Sequence, residues 1–431
     1  MMSATTGALT DLTVPRTTDT AKAVVNAYLR GALGAFLSLP VSGLRAETQG
    51  LHARTIDLAQ RTANAPRPLV AILRRPTHGA LIWTTLRAIH SGDLAKADAL
   101  LFELCLLTQL ELARLGAKTS DTPIARPLSG WPRIVSVEAR TAIELSAEVE
   151  TIGFRPRELV VQGPDRTWML PLRPDTTAPE GFPGRVSQPY HPIVEGIYLA
   201  LTDNNPLSMD EAHPDKSGNA IDLGGHGLDE WLATLRAAFA LVDRYLPVTA
   251  EEMRLVLKVI VPVGYHDQRH LSASYQEAVG TIYMTLHPNL MTMTEALIHE
   301  FQHNKINAAF HLDPMLENAF SPLYKSPVRP DPRPLHGVIL AVHAFQPVAK
   351  LYENMTAASD PLSQNPAFQK RFRDIIRMNR AGSQTVLEHA RPTPVGAALF
   401  DEMRTLEKEQ FAYETAHWTE PAAGPAQALP E

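Results

Sequence analysis

Two histidines four residues apart, with a glutamate directly after the first, can hold a metal ion and set a carboxylate beside it. His299-Glu300-Phe301-Gln302-His303 has that order. An α-helix turns once in about 3.6 residues, so both imidazoles leave one face and can converge on one ion. Glu300 follows the first ligand and can reach an ion-bound water or a substrate. The pattern is H-E-x-x-H, whose mechanical reading is two ligands plus an acid/base carboxylate. The bland alternative is a solvated pair of histidines on a helix surface. Leu297, Ile298, Phe301 and Ile306 weigh against it, because they surround the pair with apolar side chains. So does the β-branched and aromatic run at residues 280–286, which reads as a strand leading into the helix.

Two ligands do not make a tight site, so a third is expected downstream. The candidates are His311, Glu317, His336, His343 and Glu353. His311 could instead serve the negative end of the helix dipole. His336 and His343 are seven apart, near one face of the next helix. His343 sits within Leu340-Ala341-Val342-His343-Ala344-Phe345, where a metal or a backbone carbonyl would supply its polar partner. We take His343 as the expected third ligand; a zinc peptidase would call for Glu353 instead. His311-Leu312-Asp313 imitates half of a facial triad, but at a helix end rather than on a jelly-roll strand. His266-Asp267 has the residue types without the spacing. No Gly-x-Ser-x-Gly elbow and no phosphate-binding glycine loop occurs, which argues against serine hydrolase and nucleotide chemistry.

The elements that position the motif follow from pattern. His287-Pro288-Asn289 reads as a turn between the strand and a helix over about residues 293–310. Thr292 or Thr294 would cap that helix, and Glu295 would suit its dipole. A Pro-rich crossover at residues 314–334 leads to a helix over 335–355, which Pro347 should kink or interrupt. Further helices are expected over 228–246, 251–258, 366–388 and 395–411, with a short strand at 259–264. Upstream, residues 21–39 and 95–115 have helical spacing, and Ser91-Gly92-Asp93 could start the latter. Between them and the motif, residues 134–137, 158–161 and 168–172 look like strands among Pro, Gly and Asp turns, followed by an apolar stretch at 193–201. Residues 203–227 read as a loop or linker.

The expected fold is therefore α+β and mostly helical, not a jelly roll, with a smaller β-containing middle region and the metal between two helices. Residues 1–130 form an N-terminal helical region and 131–227 the β-containing middle and linker. Residues 228–420 form the metal-binding catalytic domain, and 421–431 a disordered tail.

Bulk composition permits this and excludes much else. The 431 residues are 45% hydrophobic and 20% charged, enough for a large core. A net charge of -6 carries no electrostatic footprint for nucleic acid. The one cysteine, Cys105, rules out a disulfide framework or a Cys-rich zinc site within one copy; in Leu104-Cys105-Leu106-Leu107 it reads as a buried small hydrophobe. Residues 1–16 lack the charge and apolar run of a secretory signal, and no stretch reads as long enough to span a bilayer. The expectation is a cytoplasmic protein with no membrane partner.

The phrase His299-Glu300-Phe301-Gln302-His303 with Lys305, then Asp331-Pro332-Arg333-Pro334-Leu335, resembles the HEXXH-motif peptide-modification proteins. These occur in bacterial gene clusters for ribosomally made, post-translationally modified peptides. The run Ser272-Ala273-Ser274-Tyr275 through Gly280 is also similar, and the likeness covers roughly residues 228–353. The resemblance implies an iron(II)- and 2-oxoglutarate-dependent hydroxylase acting at Cβ of a peptide side chain, without a jelly roll, where H-E-x-x-H alone implies zinc-dependent proteolysis. Three protein ligands leave one open position on tetrahedral zinc and three on six-coordinate iron, so His299, His303 and His343 would serve either. A 2-oxoglutarate enzyme also needs a cation for the distal carboxylate. Arg333, between two prolines, is the candidate, with Arg329 and Lys305 as alternatives; each could equally be an ordinary salt bridge. Glu300 would orient the ligand shell or substrate in an oxygenase and act as general base in a peptidase. The implied partner is a peptide or a carrier-held amino acid. A third reading is a non-catalytic peptide-binding module with a structural metal.

Overall fold

The computed structural model describes residues 9–62, 67–117, 122–207, 220–328 and 330–418. The expected class is found: 53% of the chain is helical and 15% is strand, in several small sheets of which none closes. The expected tail at 421–431 lies outside the described residues, as does part of the loop at 203–227.

The helices of the first hundred or so residues are α1 (Asp19–Leu37), α2 (Ala46–Arg61), α3 (Arg67–Leu73), α4 (Pro76–His90) and α5 (Leu94–Arg114). Strands follow: β1 (Ile124–Ala125), β2 (Ile134–Ser136), β3 (Thr141–Leu145), β4 (Thr151–Arg155), β5 (Glu158–Gln162), β6 (Thr167–Pro171), β7 (Gly184–Ser187), β8 (Tyr190–Val194) and β9 (Ile197–Ala200). Then come α6 (Leu228–Tyr245), α7 (Pro247–Val256), β10 (Val259–Tyr265), β11 (Ser272–Ala273), β12 (Thr281–Leu286) and α8 (Leu290–Phe310). The chain ends with β13 (Leu323–Tyr324), β14 (Arg333–Pro334), α9 (Leu335–Ala357), α10 (Pro366–His389) and α11 (Ala397–His417).

These elements form two compact units that interleave along the chain instead of following the three successive regions read from the sequence. The larger takes Ala21–Ala240 and Glu252–Leu312; the smaller takes Met1–Thr20, Leu241–Glu251 and Asp313–Glu431.

In the larger unit α5 is apolar on nearly every side and buried along most of its length. Asp93 caps it, accepting from the Lys96 amide at 3.1 Å. Its one fully buried acid, Glu111, is satisfied by Arg75 at 3.0 Å, Arg114 at 2.6 Å and the Ser136 hydroxyl at 2.6 Å. A buried charge without such partners would cost several kcal/mol. Cys105 is buried there, and burial pushes its thiol up to about 12.

The larger unit also holds a five-stranded sheet in the order β11-β12-β10-β9-β8. β10 runs parallel to both β9 and β12, and β11 pairs antiparallel with β12 at the edge. β12 is buried along its whole length, as expected of a strand covered on both faces. Gly280 leads into it at φ +104°, and a Cβ there would lie 2.9 Å from the Val256 carbonyl, so only glycine fits.

α8 begins earlier than expected. Asn289 is its cap, accepting from the amides of Met291 at 2.8 Å and Thr292 at 3.3 Å. Thr294 instead bonds back to the Leu290 carbonyl inside the helix, which corrects the expectation of a threonine cap. α7 likewise starts earlier, with Pro247 at its first position, where a missing N–H does no harm.

In the smaller unit α9 runs unbroken through Pro347, against the expected interruption. Burial of Val342, Ala344, Val348 and Leu351 around the proline outweighs one missing backbone bond. The stretch Asp19–Gly43 is long and apolar enough, by length and composition, to cross a membrane, contrary to the reading of the sequence. Within it α1 buries Ala21, Val24, Tyr28, Leu29, Ala32 and Phe36 at helical spacing.

Candidate metal centre

β12, the turn at His287-Pro288-Asn289 and the Asn289 cap fix where α8 starts. Leu297, Ile298 and Phe301, all fully buried, fix its rotation. Each such side chain contributes about 1.5–3 kcal/mol on burial, so turning the helix is expensive. The fixed rotation presents His299 and His303 together. Their rings lie 4.4 Å apart between centroids and nearly perpendicular, at 83°. One ligand atom from each of His299, Glu300 and His303 falls within 4.8 Å of the others.

Both histidines are partly exposed, whereas Glu300 is only 2% exposed. Surroundings depress the His303 imidazolium below its ordinary range: burial is the larger cause, and the Glu300 carboxylate opposes it. The neutral ring is the form that ligates metals. Nδ1 of His303 is buried and no protein group hydrogen bonds to it among the described residues, which suits an ion as its partner. Two imidazoles and a carboxylate form a donor set that zinc and iron(II) both accept.

The carboxylate is held on both sides. Ser272 donates its hydroxyl to Glu300 Oε1 at 2.7 Å, and Ser274 donates to Oε2 at 2.7 Å. Asn304 braces the clamp. Its amide nitrogen donates to Ser274 Oγ at 3.0 Å, the Glu300 carbonyl at 2.9 Å and the Thr281 carbonyl at 3.1 Å; its oxygen accepts from the Gly280 amide at 2.6 Å. The residue after the edge strand, the start of β12 and the motif helix are thus tied by one side chain. Sequence reasoning gave these residues no role. The available signal was the Ser-x-Ser alternation at 272 and 274, which in an extended chain puts both hydroxyls on one side.

The other candidates fall elsewhere. His343 lies in α9 of the smaller unit, fully buried, with Nε2 3.2 Å from the Leu12 carbonyl. That is the core-histidine alternative, and His343 is not among the clustered ligand atoms. Lys305 is 1% exposed, and its Nζ meets Glu252 at 2.7 Å; this buried pair corrects its reading as a cation for 2-oxoglutarate. Arg333 pairs through Nε with Asp331 at 2.8 Å and stays about half exposed, at 38%. Arg329 lies outside the described residues.

His311 bonds through Nε2 to the Gln276 carbonyl at 3.0 Å and stacks on Trp83. Asp313 accepts from the Met315 amide and the Thr393 hydroxyl, which accounts for it as a turn residue. His336 stacks on Phe320, and burial lowers its basicity. Glu317 is exposed, and Glu353 pairs with Lys350 at 3.0 Å on the surface of α9. His266 accepts from the amides of Gln268 and Arg269 through Nδ1, closing a turn.

In comparisons with known proteins, no family model and no curated protein matches this chain.

Proposed function

We propose that this chain is a non-haem iron(II)- and 2-oxoglutarate-dependent oxygenase that hydroxylates an amino-acid side chain of a peptide at Cβ. The observation that carries the reading is the clamp on Glu300. Both carboxylate oxygens already accept a serine hydroxyl at 2.7 Å. The two hydrogen bonds leave each oxygen one lone pair in a fixed direction, which suits a metal donor or an orienting anion more than a carboxylate that must take up and return a proton. A fixed anion beside two imidazoles suits the two-histidine, one-carboxylate pattern of iron(II) oxygenases. The resemblance of the motif and its flanks to peptide-modification proteins points the same way.

His299 and His303 would hold the metal through neutral ring nitrogens, and Glu300 would offer the third donor or orient the shell. Iron(II) with 2-oxoglutarate and dioxygen supplies the oxidation, in which one oxygen atom enters the substrate C–H bond and the other ends in succinate, with release of carbon dioxide. Ser272 and Ser274 keep the carboxylate in one orientation, and Asn304 keeps Ser274 in place. Leu297, Ile298 and Phe301 exclude water from the helix behind the site.

The test is anaerobic addition of iron(II) and then 2-oxoglutarate, watched by visible absorption. A weak charge-transfer band that needs both, and that is lost in His303→Ala, is the expected result. Stoichiometric zinc in protein purified without chelators, together with peptide cleavage abolished by Glu300→Gln, would replace this reading with a zinc peptidase.

A further inference from the structure

The five-stranded sheet of the larger unit has two edges, and they differ. At the β8 edge Pro192 removes a backbone donor, and the Arg236 guanidinium donates to the carbonyls of Pro192 at 2.7 Å and Ile193 at 3.1 Å. Proline and charge are devices that keep an edge from pairing further. The β11 edge has neither. Its two residues and the next, Ser272-Ala273-Ser274, are small, uncharged and half-buried. The ladder fixes where its backbone points. Ser272 stands opposite Met284, and the Thr285 amide donates to the Leu271 carbonyl at 2.9 Å. In an antiparallel pair that pattern makes Ser272 and Met284 the non-hydrogen-bonded partners, so the N–H and C=O of Ser272 turn away from β12. On that side neither group has a hydrogen-bond partner among the described residues.

We propose that the peptide substrate binds in extended form, pairing with β11 as a sixth strand of the sheet. The inference rests on the reading of the chain as a peptide hydroxylase. Ser272 ties the edge to the site: its backbone faces the open side, while its hydroxyl holds Glu300 at 2.7 Å. Ser274, two residues on, sends its hydroxyl to the same carboxylate. The face of β11 that carries these hydroxyls is therefore the face of the His299, Glu300 and His303 group. A strand added at β11 lies about 4.8 Å from it, with every second side chain on that face. Hydroxylation at Cβ needs the peptide backbone itself near the metal ligands, because Cβ is one bond from Cα. A partner strand beside β11 meets that need, and one residue offers its Cβ while its two neighbours point the other way. Main-chain pairing supplies affinity whatever the sequence, and the alternate side chains supply selection. A helical segment cannot use this edge, because its N–H and C=O groups are already bonded to each other.

The test uses the full chain loaded anaerobically with iron(II), its metal content measured first. Two probes carry one chelating group, the β-hydroxamate of aspartate. The first is that residue alone, blocked at both ends. The second is a blocked heptapeptide with the same residue at its centre, flanked by alternating alanine and threonine. Calorimetric titration gives both affinities. The heptapeptide should bind at least about tenfold more tightly, the factor that two backbone hydrogen bonds together supply. Methylating its amide nitrogens one at a time should remove the gain at alternate positions and spare it between them, because only every second N–H of a strand faces a given neighbour. Ser272→Ala, which keeps the amide, should retain the gain. Ser272→Pro should lose it, and proline is tolerated at an edge position whose N–H points outward. Circular dichroism checks the fold of both variants; if the proline variant misfolds, the methylated peptides decide. Equal affinity of the two probes, a gain that survives in a folded Ser272→Pro protein, or methylation without alternation overturns the proposal. The two failures differ. A single residue that binds while the heptapeptide adds nothing sinks the edge and leaves the metal centre standing. A chain that takes up no iron and binds neither probe sinks the hydroxylase reading, and the role of the edge falls with it.

Discussion

Ser274 donates its hydroxyl to Glu300 Oε2 at 2.7 Å, across 26 residues of sequence. With Ser272 on the other oxygen it leaves the carboxylate one orientation. Groups that orient the immediate surroundings of a metal typically matter about 10–100-fold in affinity or activity. The Ser272→Ala, Ser274→Ala double variant should lose turnover by that order while keeping its fold. Iron affinity and turnover, measured together with near-ultraviolet circular dichroism, check it. Full activity in the double variant would show that the clamp does nothing for the site.

His343 and His303 should separate cleanly. His303→Ala removes a ring whose Nδ1 has no protein partner, so bound iron should fall to background with little loss of stability. His343→Leu removes a ring bonded to the Leu12 carbonyl, so stability should fall by about 1–3 kcal/mol while iron stoichiometry holds. Metal analysis and urea melts of both variants give the answer. Iron lost from a well-folded His343→Leu protein would restore His343 as a ligand.

Lys305 and Glu252 form a pair that is 1% and 0% exposed. Removing the cation alone takes the opposite charge from a buried carboxylate. Lys305→Met should therefore destabilise the protein by about 3–5 kcal/mol, and adding Glu252→Leu should restore much of the loss. Denaturant melts read both effects. A Lys305→Met protein of normal stability with a raised KM for 2-oxoglutarate would return Lys305 to the role of a cofactor cation.

The contrast between Lys305 and His303 also marks how far the sequence could be read. Long periodic elements such as α5 and α8 were legible because their apolar positions repeat. The His299, Glu300, His303 group was legible because one helical turn brings it together. Lys305 is two residues from His303, about 200° round the helix, so the spacing itself turned it away from the ion. The clamp was not legible, since Ser272 and Ser274 meet Glu300 only through the pairing of β11 with β12. Nor was the partner of His343, because Leu12 is 331 residues distant. The Asn289 cap was readable in principle; two nearby threonines offered the same chemistry, and propensity could not choose between them.

Stability should also carry a pH signature from Glu103 on α5. Burial raises its carboxyl to about 7, against the opposing effects of an Asn204 hydrogen bond at 2.8 Å and the charge of Arg133. The folded chain thus holds this proton more tightly than the unfolded chain, whose value is 4.5. Between those values unfolding releases a proton, so the contribution of Glu103 to stability falls as pH rises from 4.5 to about 7, by about 3 kcal/mol in all. His78 works the other way: burial lowers it from 6.5 to about 3, so its contribution is lost as pH falls through that range. Glu103→Gln keeps an acceptor for Asn204 and removes the ionisation. Urea melts at intervals from about pH 5 to about pH 8 should then show the variant gaining on the parent steadily as pH rises. A constant difference between the two across that range would mean that Glu103 ionises as readily in the folded chain as in the unfolded one, and the burial argument for α5 would fail.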